Sequence, residues 1–167
     1  MVEPRERLEL RARVEARLVT GDAAEPARRL LYGAEWAYLA TAAEGWPYVM
    51  PLAFVYDGTA IHFHCGDGLM ASLLAAEPRA CLSVTTGPQF TAGPSPCEHS
   101  FRYESTLAFG EVSRIDDDAQ REEVLRRILA KYHPSSAQRA FSPERFAATL
   151  VFVLRIDALT YKRSPEA

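Results

Sequence analysis

Between Tyr48 and Tyr56 the chain is apolar on both faces of an alternating pattern, with Tyr48, Met50, Leu52 and Phe54 on one face and Val49, Pro51, Ala53 and Val55 on the other. A strand of this kind needs cover on both sides, as a barrel wall has when its outside meets a ligand or another subunit. Alternating segments also run from Ala37 to Ala42 and from Ala60 to Cys65, with Glu44-Gly45 and Asp57-Gly58 as the turns between them. This pattern predicts a meander of antiparallel hairpins. Further strands are expected at Ala80 to Thr86, at about Arg102 to Ile115 and at Thr149 to Ile156, with a Gly- and Pro-rich loop from Gly87 to Pro96 and a polar tail at the end.

Helical spacing occupies the gaps. Pro4 to Val19 sets Leu8, Leu10, Val14 and Leu18 among charged residues, which predicts an amphipathic helix. A short helix through Arg28, Leu30 and Leu31 is expected to stop at Gly33 as its cap, and Leu69 to Ala76 is expected to follow Gly68 and end at Pro78. Asp116 to Asp118 looks like the N-terminal cap of a helix over Arg121 to Lys131, whose apolar stripe is Val124, Leu125, Ile128, Leu129 and Tyr132. The charges from Arg121 to Arg127 read as its solvated face. Long crossover helices are missing between most strand pairs, so the expected fold is mainly β with flanking helices, a small antiparallel barrel. Residues 1–23 form an N-terminal helical extension and 24–167 a single domain.

Charge and cysteine content narrow the partners. A net charge of −3 offers a polyanion no excess of Lys and Arg, so nucleic acid is not an expected partner. No apolar run reaches the ~20 residues that cross a bilayer, and the charged start has no signal-peptide stretch, which predicts a cytoplasmic protein away from membranes. Cys65, Cys81 and Cys97 are odd in number and lack CxxC spacing, which points to reduced thiols.

No nucleophile elbow, P-loop or GxGxxG is present. His62 and His64 share one strand face, and Cys97, Glu98 and His99 follow later. Nothing in the sequence brings those two segments together, so no metal site is assigned. Gly66 and Gly68 fit an ordinary strand-to-helix turn as well as a phosphate-binding helix start. Trp36, Trp46, Tyr48 and Tyr103 could stack on a planar ligand, but aromatics in a small barrel are expected in its core, and only Tyr103 is selected.

Leu39-Ala-Thr-Ala42, Gly45-x-Pro47-Tyr-Val-Met-Pro51-Leu52, Ile61-His-Phe-His64 and Gly68 stand in an order that resembles the FMN-binding split barrels of the pyridoxamine-phosphate-oxidase-like superfamily. Gly87-Pro-Gln89-Phe90, Ser95-Pro96, Tyr103-x-Ser105 and Phe109-Gly110 are similar to its nitroimidazole-resistance (Nim) branch in particular. The resemblance implies a dimeric split β-barrel with two FMN molecules at the subunit interface. It implies Met50, Pro51, Leu52, His64, Cys65, Leu69, Met70, Tyr103 and Ser105 around the cofactor, with the stretch from His64 to Met70 and Ser105 towards its phosphate. Many members carry Lys or Arg where this chain has Met70, so the usual phosphate cation is missing, and Arg79, Arg102 or a partner-subunit residue is left as a substitute.

The expected function is therefore an FMN-dependent oxidoreductase, reducing a small acceptor such as a nitroaromatic with electrons from a nicotinamide or similar donor. His64 is the expected catalytic residue, because an imidazole exchanges protons near neutral pH. The alternatives are a non-catalytic flavin-binding or sensing module and a haem-binding split barrel.

Overall fold

The computed structural model describes residues 12–164. Eight strands form one antiparallel sheet: β1 (Leu18–Val19), β2 (Ala37–Ala43), β3 (Trp46–Leu52), β4 (Phe54–Tyr56), β5 (Ala60–Gly66), β6 (Arg79–Thr91), β7 (Ser100–Ile115) and β8 (Thr149–Arg163). The order across the sheet is β3-β2-β6-β7-β8-β5-β4, with β1 added on β8. Four α-helices lie wholly within the described residues and flank it: α1 (Glu25–Gly33), α2 (Leu69–Ala76), α3 (Asp118–Tyr132) and α4 (Pro143–Ala148). This is the split-barrel architecture, mostly β with helices outside. No helix among the described residues is long and apolar enough to cross a membrane.

The strand expected from Tyr48 to Tyr56 is in fact two. The chain breaks at Ala53, so β3 pairs with β2 at one end of the sheet and β4 pairs with β5 at the other. The expected meander is thus only two separate hairpins. One apolar segment closes the barrel covalently by leaving one edge and joining the opposite one. The break is clamped from outside by α3, where the Tyr132 hydroxyl accepts from the Phe54 N–H at 3.0 Å and donates to the Phe54 carbonyl at 3.1 Å. The Lys131 ammonium donates to the carbonyls of Phe54 and Ala34 at 2.9 and 2.7 Å. These bonds replace the ladder interrupted at Ala53. Tyr132→Phe should leave the Phe54 N–H without a partner and cost about 1–2 kcal/mol in urea unfolding, whereas an unchanged midpoint would mean that water satisfies the break.

Alternation decides what enters the barrel. Leu39, Phe54, Ile61, Phe63, Leu82, Val84, Ala108 and Leu154 are fully or almost fully buried, and Phe63 stacks on Phe152 with centroids 5.4 Å apart. Apart from Ala108, each such side chain contributes roughly 1.5–3 kcal/mol of hydrophobic stabilisation. A second cluster of Val55, Val124, Leu125, Ile128 and Val151 seals α3 against the outside of β4 and β8.

Several expectations change in detail. The helix from Pro4 to Val19 falls partly outside the described residues. Positions 12–15 are helical, but Leu18 and Val19 pair with Thr160 and Leu159, because β5 leaves that part of the β8 edge free. Gly33 ends α1 as expected without taking a left-handed cap conformation. The loop expected from Gly87 to Pro96 begins only after Thr91, because the strand continues through a bulge, with Gly87 at φ 64° and pairing resumed at Gln89 with Arg102. β8 runs on to Arg163 because Asp157, read as the start of a polar tail, is the extra residue of a bulge opposite Phe109 and Gly110. The face from Arg121 to Arg127 is not simply solvated. Arg121 is buried, donating to the Asp118 carboxylate at 2.6 Å and to the carbonyls of Phe146 and Thr149 at 2.8 and 2.9 Å.

Candidate functional site

The outer face of β3-β2-β6-β7 is a broad uncovered surface, and the pairing registers define its rows. Val49, Ala40, Cys81 and Phe109 lie side by side, as do Pro51, Tyr38, Ser83 and Leu107. Small side chains make the middle flat, while Val49, Pro51 and Tyr38 are exposed at its edge. Burial pushes the Cys81 thiol up to about 11, so this cysteine stays a neutral small group. β3 is the sheet's last strand on this side, with one row of backbone N–H and C=O groups outside the ladder.

One end of the face turns polar. Thr85, Ser105 and Lys162 occupy directly opposed positions on β6, β7 and β8. The Lys162 ammonium lies 5.1 Å from the centre of the Tyr103 ring. Ser83, Thr85, Ser105, Leu107, Phe109 and Lys162, with Val14 and Arg17 from the N-terminal segment, line a cleft of about 420 Å³. A second cavity, about 450 Å³, gathers Trp46, Pro47, Tyr48, Leu69 and Leu73 where β3 meets α2.

The expected site residues divide by side-chain direction. Leu52 is buried, Met70 is buried at 3% exposure, and Met50 and Cys65 pack against the same core. Leu52 and Met70 can offer a ligand only their backbone, while Met50 and Cys65 keep part of their side chains exposed. Pro51, His64 and Leu69 are exposed, and Tyr103 and Ser105 are half-buried on the outer face. Trp46, expected in the core, is 78% exposed, and Trp36 is exposed as well. Lys162 and Thr85 were not selected from the sequence. Thr85 lies within the strand expected at Ala80 to Thr86, and alternation would have shown Lys162 had the true length of β8 been legible.

His64 sits at the end of β5, opposite Val151 of β8, and its ring makes no hydrogen bond among the described residues. Enough protein surrounds the exposed ring for burial to lower its pKa below the ordinary value. His62 is different. Its Nε2 lies 2.7 Å from the Asp57 carboxylate, which also accepts from the N–H groups of Thr59 and Ala60 at 2.9 and 2.8 Å. His62 therefore holds the β4–β5 turn. No three His, Cys, Asp or Glu side chains gather among the described residues.

His64 and Ser105 lie at opposite ends of β8, opposite Val151 and Lys162 respectively. Those positions are eleven residues apart, up to ~36 Å along an extended strand at ~3.3 Å per residue. The structure thus brings Tyr103 and Ser105 together at one end, and His64 and Leu69 towards the other.

Among solved structures, the chain is similar to the flavocytochrome Anf3 from Azotobacter vinelandii, at 20% identity over 92% of this chain and 72% of that one, with a TM-score of 0.78. It is also similar to a candidate 5-nitroimidazole antibiotic resistance protein from Bacteroides thetaiotaomicron, at 22% identity over 86% and 85%, TM-score 0.72. An FAD and heme binding protein from Mycobacterium smegmatis is 29% identical over 90% and 74%, TM-score 0.75. No curated protein matches the sequence. The family model described as pyridoxamine 5'-phosphate oxidase matches residues 23–163. With that match over most of its length and a split barrel for its fold, the chain belongs to the pyridoxamine 5'-phosphate oxidase family.

Proposed function

We propose that the protein binds FMN on the outer face of its barrel and works as a homodimeric oxidoreductase for a small acceptor, nitroaromatic compounds being the candidate class. The observation that carries this reading is the amphipathic face itself. A flat patch around Ala40, Cys81 and Ser83, beside the open backbone edge of β3, suits a planar ring system, and the polar row of Thr85, Ser105 and Lys162 suits a phosphate. Bound there, the flavin would supply the electron-transfer chemistry.

The chain's own residues have narrower tasks. The backbone of Met50, Pro51 and Leu52 offers hydrogen bonds to the ring edge, and Leu69 with Trp46 excludes water. Tyr103 and Ser105 orient the polar end. His64 exchanges a proton with the acceptor at a ring nitrogen. Because His64 and Ser105 stand at opposite ends of β8, one cofactor meets both sets only if two copies share it, His64 coming from one protomer and Ser105 from its partner. A dimer also covers Val49, Pro51 and Tyr38, whose exposure is unusual on a lone soluble subunit.

The test begins with the absorption spectrum of the protein as purified, followed by FMN titration and turnover with a nicotinamide donor and a panel of acceptors. A flavin spectrum, stoichiometric FMN binding and donor oxidation are expected. Binding without turnover would make it a flavin-binding module instead. A haem spectrum would favour the reading suggested by the 29%-identical structure, named for both FAD and heme. Light scattering should report a dimer, and a monomer that still binds FMN would refute the shared site.

A further inference from the structure

We propose that the phosphoryl end of the flavin is held between two cations, Lys162 of β8 and Arg17 from the segment ahead of the family-matched region, at the end of the face away from Met70. The inference rests on the flavin reading above and specifies how this chain selects its cofactor.

Met70 is buried in the core, so the start of α2 offers a phosphate no charged side chain at that position. Lys162 instead projects from the outer face directly beside Ser105, with Thr85 next in the row. An ammonium flanked by two hydroxyls is a donor set for phosphate oxygens. Among the described residues the Lys162 ammonium lies over the Tyr103 ring, and neither Lys162 nor Arg17 forms an ion pair there. Two cations facing one cleft, with no ion pair among the described residues, favour the entry of an anion.

Arg17 reaches the cleft because of an addition to the fold. β1 pairs Leu18 with Thr160, two residues before Lys162, and this pairing brings Val14 and Arg17 over the opening. The family match begins at residue 23, so this wall lies outside it. The extension is therefore part of the ligand site, and the ligand class is a flavin bearing a phosphate or diphosphate ester.

The experiment titrates riboflavin, FMN and FAD into the full-length protein and its Lys162→Gln, Lys162→Arg and Arg17→Gln variants, following flavin fluorescence. The wild type should bind FMN or FAD more tightly than riboflavin. Lys162→Gln should weaken the phosphorylated flavin about 10-fold, leave riboflavin within about twofold and flatten the dependence on salt. Lys162→Arg should restore most of the loss, and Arg17→Gln should weaken the same ligand by roughly threefold or more. Both sites are exposed, so melting without ligand should not change. Equal binding of FMN and riboflavin by the wild type, or equal weakening of both by Lys162→Gln, would overturn the proposal. If no flavin binds, the flavin reading fails, and pyrophosphate then tests the clamp alone. Thermal stabilisation by pyrophosphate that disappears in Lys162→Gln would uphold it, and no stabilisation of the wild type would overturn it.

Discussion

Gly110→Ala is expected to destabilise the barrel more than any other single-methyl change, by about 3–5 kcal/mol or enough to prevent folding. Gly110 lies at the bulge where β7 slips against β8, and Asp157 is left unpaired across from it. A Cβ on Gly110 would overlap the Arg155 carbonyl oxygen and lie 2.9 Å from its carbon. Those atoms belong to the backbone of a central strand, so no rotamer can relieve the clash. Moving them would disturb the register that places Ser105 beside Lys162. Gly33 is the control, because a Cβ there meets nothing within 4 Å and its conformation is helical. Gly33→Ala should leave stability unchanged or raise it by up to ~1 kcal/mol. Urea unfolding of both variants decides the matter. Equal midpoints would mean that the bulge yields and that Gly110 is not required by sterics.

His64→Ala is expected to reduce turnover about 10²–10⁴-fold while preserving the fold and FMN affinity. Reduction of a polar acceptor consumes a proton, and the role proposed for the His64 imidazole is to deliver it. Burial lowers its pKa below the usual ~6.5, so turnover should rise as pH falls through that lowered value, and the rise should vanish in His64→Ala. Stability runs the other way. The folded ring binds a proton less readily than the unfolded one, so on acidification the protein loses stability from about pH 6.5 down to the folded pKa. His62→Ala should behave differently, keeping flavin and turnover but losing about 1 kcal/mol of stability, because it removes the hydrogen bond to Asp57. If His64→Ala unfolds the protein, or His62→Ala abolishes turnover instead, His64 is not the proton donor.

The two histidines show how far a one-dimensional pattern reaches. Alternation places both on one face of β5, but only the fold gives His62 an aspartate across the turn and leaves the His64 ring without a hydrogen bond among the described residues. The same limit applies to Met70. The resemblance makes its place after Gly68 the position of a missing cation, yet the pattern within an eight-residue helix did not show that Met70 turns into the core while Leu69 turns out.

The sequence by itself determined most of the strands and helices, though not β1 or α4, together with the hairpin turns at Glu44-Gly45 and Asp57-Gly58, a cap within Asp116 to Asp118 and the family resemblance, because these depend on residues close along the chain. Glu44 and Gly45 both take positive φ, as a two-residue hairpin turn demands, and the Asp117 side chain accepts from the Gln120 N–H at 2.9 Å. Tertiary structure decided what depends on distant pairing. It broke one apolar strand at Ala53 so that its halves close opposite edges of a barrel. It extended β8 through a bulge to Lys162 and carried Arg17 to the cleft, through partners more than fifty residues away in sequence. Register is set by which backbone edges remain free once the core is packed, and a local pattern of polar and apolar residues does not contain that information.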